Sequence, residues 1–368
     1  MAKKLRIFAF GGNEVAPVGV TDPKTGKPVV ADIPMQWRRT ADTCRLVADI
    51  IQAHPEDLFI LTHGNGPQVG NILLRAEYSR PILPPLPLDV CGADTQGAMG
   101  FMMAQLENEL RTRGIEKQVN TVVTRVLVDD KDPDFKDPSK YIGPSMTKEE
   151  AEARRKEGLA VKLYKKDDKG REIWRRVVPS PSPIDILEIG AVELFLKAGI
   201  IPVTVGGGGV PVMLAQPVKE GGKEFYETNY GIRFERRTGG KEPVRVYAGL
   251  EAVIDKDLAS ALLGTMLLKR AKERGEELEV TLTIFTGEDG AKLNYQKPDQ
   301  VDLRKLTLKE AQEIFNRKPC PFPAGSMGPK INAAIKFVEG GGNAALITKT
   351  DLFEATLAGK AGTTIVPC

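Results

Sequence analysis

Three lysines stand in settings unlike those of an ordinary solvated cation: Lys140 in Pro138-Ser139-Lys140-Tyr141-Ile142-Gly143-Pro144, Lys256 in Ile254-Asp255-Lys256-Asp257, and Lys330 in Gly325-Ser326-Met327-Gly328-Pro329-Lys330. The last two fall at or near helix starts, where a cation is disfavoured unless an anion is bound beside it. Gly11-Gly12-Asn13, Gly64-Asn65-Gly66 and the run Gly206-Gly207-Gly208-Gly209 each follow an apolar stretch. A glycine turn after a strand lets backbone amides converge on an anion, although each such turn taken singly also reads as a tight turn and no more. Lysines acting as movable charges beside amide-rich turns are what phosphoryl transfer requires, because its catalysis is mostly positioning and charge stabilisation. Asp257 either caps the helix that follows it or orders the lysines.

The familiar phosphate signatures fail on inspection. Gly359-Lys360 is followed by Ala361 and has Glu354 where a Walker A loop needs its first glycine, and Gly64-Asn65-Gly66-Pro67-Gln68-Val69-Gly70 misses the dinucleotide spacing by one residue. Two histidines, His54 and His63, exclude metal sites built on several imidazoles, and no metal ligand set is assigned. Cys44, Cys91, Cys320 and Cys368 are far apart, so they read as free thiols rather than a disulfide framework. With 52 Lys+Arg against 49 Asp+Glu the net charge is +3, too small for nucleic-acid binding. Membrane spans need about 20 apolar residues and none is present, which makes the cytoplasm the default location.

What must position these groups is an alternating chain. Apolar, β-rich runs at 5–10, 58–62, 120–127, 200–205, 280–286 and 344–347 alternate with helical patterns at 37–53, 95–113, 185–198, 257–274 and 327–339. The alternation predicts a mainly parallel sheet covered by helices on both faces, with ligands beyond the carboxyl ends of the strands. Two stretches break the rhythm: the charged segment 129–176, read as a small subdomain projecting from one 1–368 domain, and the polar segment 213–248, read as an insertion forming a hairpin or lid or as a tolerated surface loop.

The chain resembles the amino-acid kinase superfamily, and within it carbamate kinase. The resemblance rests on Gly11-Gly12-Asn13, His63 to Asn71, Pro87 to Cys91, Phe135 to Lys140 with Ile142-Gly143-Pro144, Trp174 to Pro181, Gly206 to Val212, Glu251 to Ser260 and Pro323 to Lys330, all in family order. It implies an open three-layer αβα sandwich with a small protruding subdomain, a homodimer, and the reaction of MgATP with carbamate to give MgADP and carbamoyl phosphate, commonly run toward ATP. By position it makes Lys256 and Lys330 the lysines that neutralise the transferring phosphoryl group and the leaving oxygens, Asp257 the carboxylate that orders them, and Lys140 the lysine brought over the site by the subdomain. Gly11, Gly12, Asn13, Gly64, Asn65 and Gly66 would hold the phosphoryl group and acceptor. Gly207, Gly208, Gly287 and Tyr295, with the segment through Asn294, Lys297 and Pro298, would surround the nucleotide together with Lys256 and Lys330. Small-molecule substrates are the only partners implied besides the second subunit, and Mg²⁺ arrives with the nucleotide.

Three positions depart from the family pattern: Glu14 follows Gly-Gly-Asn, Asp94 precedes Thr95-Gln96-Gly97, and Ser182 stands fourth in Pro179-Ser180-Pro181-Ser182-Pro183. Placed near the acceptor, they would favour one bearing an amino or amide group, so another small carboxylate or carbamate is the alternative acceptor. A catalytically idle nucleotide-binding protein is the third reading. The long loop 14–33 and the 213–248 segment also exceed the compact family form.

Overall fold

The strand Lys3–Phe10 alternates between two cores. Leu5, Ile7 and Ala9 join one apolar cluster with Leu263 and Leu267 of helix Lys256–Glu273 and with Ile331 and Phe337 of helix Met327–Glu339. Phe8 and Phe10 join the other, with Val47 and Ile51 of helix Ile33–Ala53 and with Leu106 and Leu110 of helix Gln105–Arg111. The period of two along a strand therefore makes three layers, helices above and below one sheet. Phe285 lies 5.2 Å from Phe8 and 5.1 Å from Phe10, ring centre to ring centre, which ties the neighbouring strand into the second core.

The computed structural model describes residues 2–15, 32–66, 68–167, 169–240, 242, 244–323 and 325–367. Most of the 14–33 loop singled out in the sequence, and Cys368, lie outside these residues. The main sheet has eight strands in the order Lys305–Thr307, Thr363–Val366, Ala344–Thr348, Leu278–Phe285, Lys3–Phe10, Leu58–His63, Ile201–Val203 and Val119–Thr121. Only the pair Ala344–Thr348 and Thr363–Val366 runs antiparallel. The expected αβα sandwich with its mainly parallel sheet is what forms. Among the described residues, no helix is long and apolar enough to cross a membrane.

Three expected elements are corrected. The run 120–127 is not one strand: Val119–Thr121 stays in the main sheet, while Arg125–Val128 enters a second, four-stranded sheet. The break comes where the Gln96 carboxamide takes over the backbone of Thr124, accepting its N–H at 2.9 Å and donating to its carbonyl at 3.1 Å. The helix expected over 95–113 begins earlier and splits into Leu88–Met103 and Gln105–Arg111. At the break the Gln105 carboxamide donates to the carbonyls of Met102 and Trp37. Asp185 and Ile186 belong to strand Pro183–Ile186, and the helix there spans only Ile189–Lys197. Glu188 ends the intervening turn by accepting from both the backbone and the guanidinium of Arg125.

Beyond the second sheet, strands Lys140–Met146, Glu172–Val178 and Val161–Lys166 form an antiparallel sheet of their own, in that order, with helix Lys148–Lys156 against it. Glu77 on helix Gln68–Ser79 receives Arg154 at 3.2 Å and Arg176 at 3.1 Å from this lobe. Next to that clamp Gly70 and Gly143 pack backbone to backbone: a Cβ on Gly70 would stand 2.8 Å from the Gly143 Cα. A separate three-stranded antiparallel sheet is built from Pro217–Glu220, Lys223–Glu227 and Arg233–Glu235.

Candidate functional site

Asp255 starts the site by starting a helix. Its Oδ1 accepts the backbone N–H of Asp257 at 2.9 Å and of Leu258 at 3.3 Å, satisfying donors that the first helical turn leaves unpaired. The cap fixes Lys256 and Asp257 in that first turn, close to the end of strand Lys3–Phe10: Lys256 Nζ donates to the Ala9 carbonyl at 3.3 Å and to Asp257 Oδ1 at 2.5 Å. Lys330, on the first turn of helix Met327–Glu339, reaches the other oxygen of the same carboxylate at 3.0 Å. Lys140, at the start of its lobe strand, places Nζ 3.1 Å from Asp255 Oδ2.

Electrostatics follow from burial and pairing. Burial alone would push the Asp257 carboxyl up, yet the ammonium groups of Lys256 and Lys330 outweigh it and hold it well below the usual carboxylate range. Burial draws Lys256 down, with Lys330 adding to it against the pull of Asp257. For Lys330 burial acts in the same sense, but its pairing with Asp257 wins and the ammonium is held above its ordinary value. Asp255 adds its attraction to both lysines.

These groups line a cavity of about 300 Å³ with Gly11, Gly12, Gly64, Asn65, Gly66 and Gly207. At Gly12 and Gly207 the walls touch. A Cβ on Gly12 would stand 3.0 Å from the Gly66 Cα, and one on Gly64 would stand 3.4 Å from the Lys256 stem. Gly207 sits at φ +63° with the Asn65 carboxamide where a side chain would go, so this position is closed to other residues on two counts. Thr95 Oγ1 holds Asn65 by donating to its Oδ1 at 3.0 Å. His63 lies beneath, fully buried with its imidazole pushed down to about 4 by burial and its Nδ1 3.2 Å from the Gly64 carbonyl, which makes it a neutral packing group.

A second cavity of about 290 Å³ adjoins the first at Ser326 and Lys330 and is lined by Thr286, Glu288, Gly290, Lys292, Tyr295 and Met327. Tyr295 donates to Glu288 at 2.7 Å. Of the expected nucleotide group, Tyr295 and Lys330 line this chamber. Lys256 and Gly207 line the first chamber, Gly208 is buried against the Ile254 carbonyl, and Gly287 lines neither. The backbone of Asn13 belongs to helix Gly12–Val15, and its side chain lies outside the described residues.

Sequence reasoning did not single out Asp255 and Ser326. An Asp one residue before a helix is a capping signature, so Asp255 was findable. Ser326 precedes helix Met327–Glu339 without donating or accepting as a side-chain cap, and it lines both chambers. The three departures from the family pattern stand elsewhere. Glu14 is buried and meets Arg39 at 3.5 Å and Thr350 at 3.3 Å, Asp94 is exposed, and the Ser182 backbone donates to Asp132; none lines the cavity.

No family model matches the chain. The carbamate kinase of Thermococcus kodakarensis is 39% identical over 364 residues, covering 98% of each chain, and that of Pyrococcus furiosus is 38% identical over 371 residues, covering 100% of both. Among solved structures, carbamate kinase from Giardia lamblia bound to AMP-PNP superposes with a TM-score of 0.76 at 31% identity, covering 100% of this chain and 99% of that one. The same Giardia protein bound to citric acid gives 0.74 at 31% identity with the same coverage. Likeness at this level from end to end of both chains means that the chain belongs to the carbamate kinase family.

Proposed function

We propose that the protein transfers the γ-phosphoryl group of MgATP to carbamate, and in reverse makes ATP from carbamoyl phosphate and MgADP. The observation that carries this is one buried carboxylate, Asp257, holding two lysine ammonium groups at the edge of a glycine-walled cavity. In the forward step a carbamate oxygen attacks the γ-phosphorus, the bond from phosphorus to the bridging oxygen breaks, and ADP leaves with the electron pair. Carbamate is already anionic, so no side chain need remove a proton. Lys256, Lys330 and Lys140 supply the positive charge that two converging anions demand, and Asp257 keeps the first two at fixed spacing. The backbone turns at Gly11-Gly12 and Gly64-Asn65-Gly66 face the acceptor and phosphoryl group, while the chamber at Tyr295 takes the nucleotide.

Mg²⁺ enters as part of the nucleotide substrate. Both Asp257 oxygens and both Asp255 oxygens accept from lysine or backbone donors, so the carboxylates at the cavity are already engaged and the phosphates themselves suit the ion better. The same reading has the protein work in the cytoplasm as a homodimer. Sedimentation velocity tests the dimer.

The deciding assay is ATP formation from carbamoyl phosphate and MgADP, coupled to hexokinase, with Lys256→Ala as control. Rapid turnover that depends on Lys256 is the expected result. A folded, ADP-binding protein that forms no ATP would leave the family assignment standing and overturn the acceptor.

A further inference from the structure

We propose that Asp255 is a positioning residue for phosphoryl transfer: in the ligand-free protein its carboxylate parks the Lys140 ammonium at the cavity, and it yields that ammonium to phosphate when substrate arrives. The proposal rests on the phosphotransferase reading for its kinetic consequence and on geometry alone for its structural one.

The two oxygens of Asp255 have separate tasks. Oδ1 is committed to the backbone N–H groups of Asp257 and Leu258, which fixes the plane of the carboxylate, and Oδ2 is the oxygen that meets Lys140 at 3.1 Å. A carboxylate locked this way cannot follow the lysine if the lobe swings out. The ion pair is therefore a fixed stop on the core against which a mobile cation docks. The side chains differ in the same sense, with Asp255 15% exposed and Lys140 43%.

Lys140 needs such a stop. Its stem is long and flexible, it belongs to the three-stranded lobe sheet, and it pairs across that sheet with Val178 at the point where the lobe rejoins the core. Among the described residues, the other ion pairs fastening the lobe run from Arg154 and Arg176 to Glu77 of helix Gln68–Ser79. Without Asp255 nothing in that clamp specifies where the Lys140 ammonium points. With it, the ammonium waits beside Lys256 and Lys330 at the same cavity.

The charge balance permits the handover. Among the described residues, three ammonium groups and two carboxylates line the cavity and leave one net positive charge, so the lysines do not expel one another before substrate binds. A phosphoryl group carries more negative charge than one carboxylate oxygen and takes Lys140 over by mass of charge. Asp255 meanwhile keeps its helix cap, and the first turn carrying Lys256 and Asp257 does not move.

The test uses Asp255→Asn, whose amide oxygen can still cap the helix but which carries no charge to hold a lysine. In the ligand-free protein, amide exchange across 140–146 should run about threefold faster than in wild type, with an unchanged melting temperature. In the assay with carbamoyl phosphate and MgADP, Asp255→Asn should lose about tenfold in kcat/KM, and adding it to Lys140→Ala should cost nothing beyond Lys140→Ala alone. Unchanged exchange at 140–146 overturns the parking role whether or not the protein turns over. Fully additive losses in the double variant overturn the handover, because Asp255 would then act other than through Lys140. A wild-type protein inactive toward carbamoyl phosphate overturns the activity reading instead, and the exchange result still decides the parking role.

Discussion

Lys256 and Lys330 share the two oxygens of one carboxylate, Asp257, yet their basicities are driven apart: burial wins at Lys256 and lowers it, and pairing wins at Lys330 and raises it. Two cations of the same type are thereby given different ease of deprotonation within one contact.

This difference predicts the alkaline limb of the pH profile. Turnover should fall at a pH below that of an ordinary lysine as Lys256 loses its proton, while Lys330 stays charged. Lys256→Arg, if it retains measurable rate, should move that limb upward or abolish it, since a guanidinium does not titrate there. A limb unmoved by the substitution would assign it to another group.

Asp257→Asn tests the bridge itself. Removing one partner from a buried charged set leaves the others uncompensated, a loss on the order of 3 kcal/mol, read by urea denaturation. The folded carboxyl sits below its unfolded value, so its contribution is present above about pH 4 and fades as acid protonates it. The stability gap between wild type and Asp257→Asn should therefore be widest at neutral pH and narrow toward pH 2. Turnover should fall by at least about a hundredfold.

Gly207→Ala addresses the wall. The added methyl would fall on the Asn65 carboxamide at a backbone conformation that alanine resists. The expected outcome is a rise of about tenfold or more in KM for carbamoyl phosphate with a smaller change in KM for MgADP. Equal changes in both constants would place Gly207 outside the acceptor side.

Glu14→Gln and Asp94→Asn should leave acceptor preference unchanged, because neither side chain reaches the cavity. Competition assays between carbamate and acetate check this. A shift in the ratio beyond about threefold would restore these residues to the substrate question.

The parallel sheet was legible because its central strands are largely buried and carry short apolar runs, as at Leu58 to Leu61 and Ala344 to Ile347. Helix Met327–Glu339 matched its pattern to the residue. What escaped were interruptions made by side chains distant in sequence: Gln96 reaching Thr124, and Arg125 reaching Glu188. Periodicity carries no trace of such contacts. The lysines and glycine turns were legible as chemistry, and the structure gathers Lys140, Lys256, Lys330 and Asp257 at one cavity. The division of the expected nucleotide group, with Lys256 and Gly207 in one chamber and Tyr295 in the other, was not, since it depends on how the ends of separate strands and helices fall in space.

The two chambers meet at Ser326 and Lys330. Under the proposed function that shared junction is a waist, with the nucleoside on one side and the acyl group on the other. A single compound joining both halves through its phosphates would thread the waist and pay the entropy of association once, so its affinity would follow the product of the two half-sites' binding constants rather than either alone. The length of the phosphate chain giving the tightest binding would then measure the waist directly in solution.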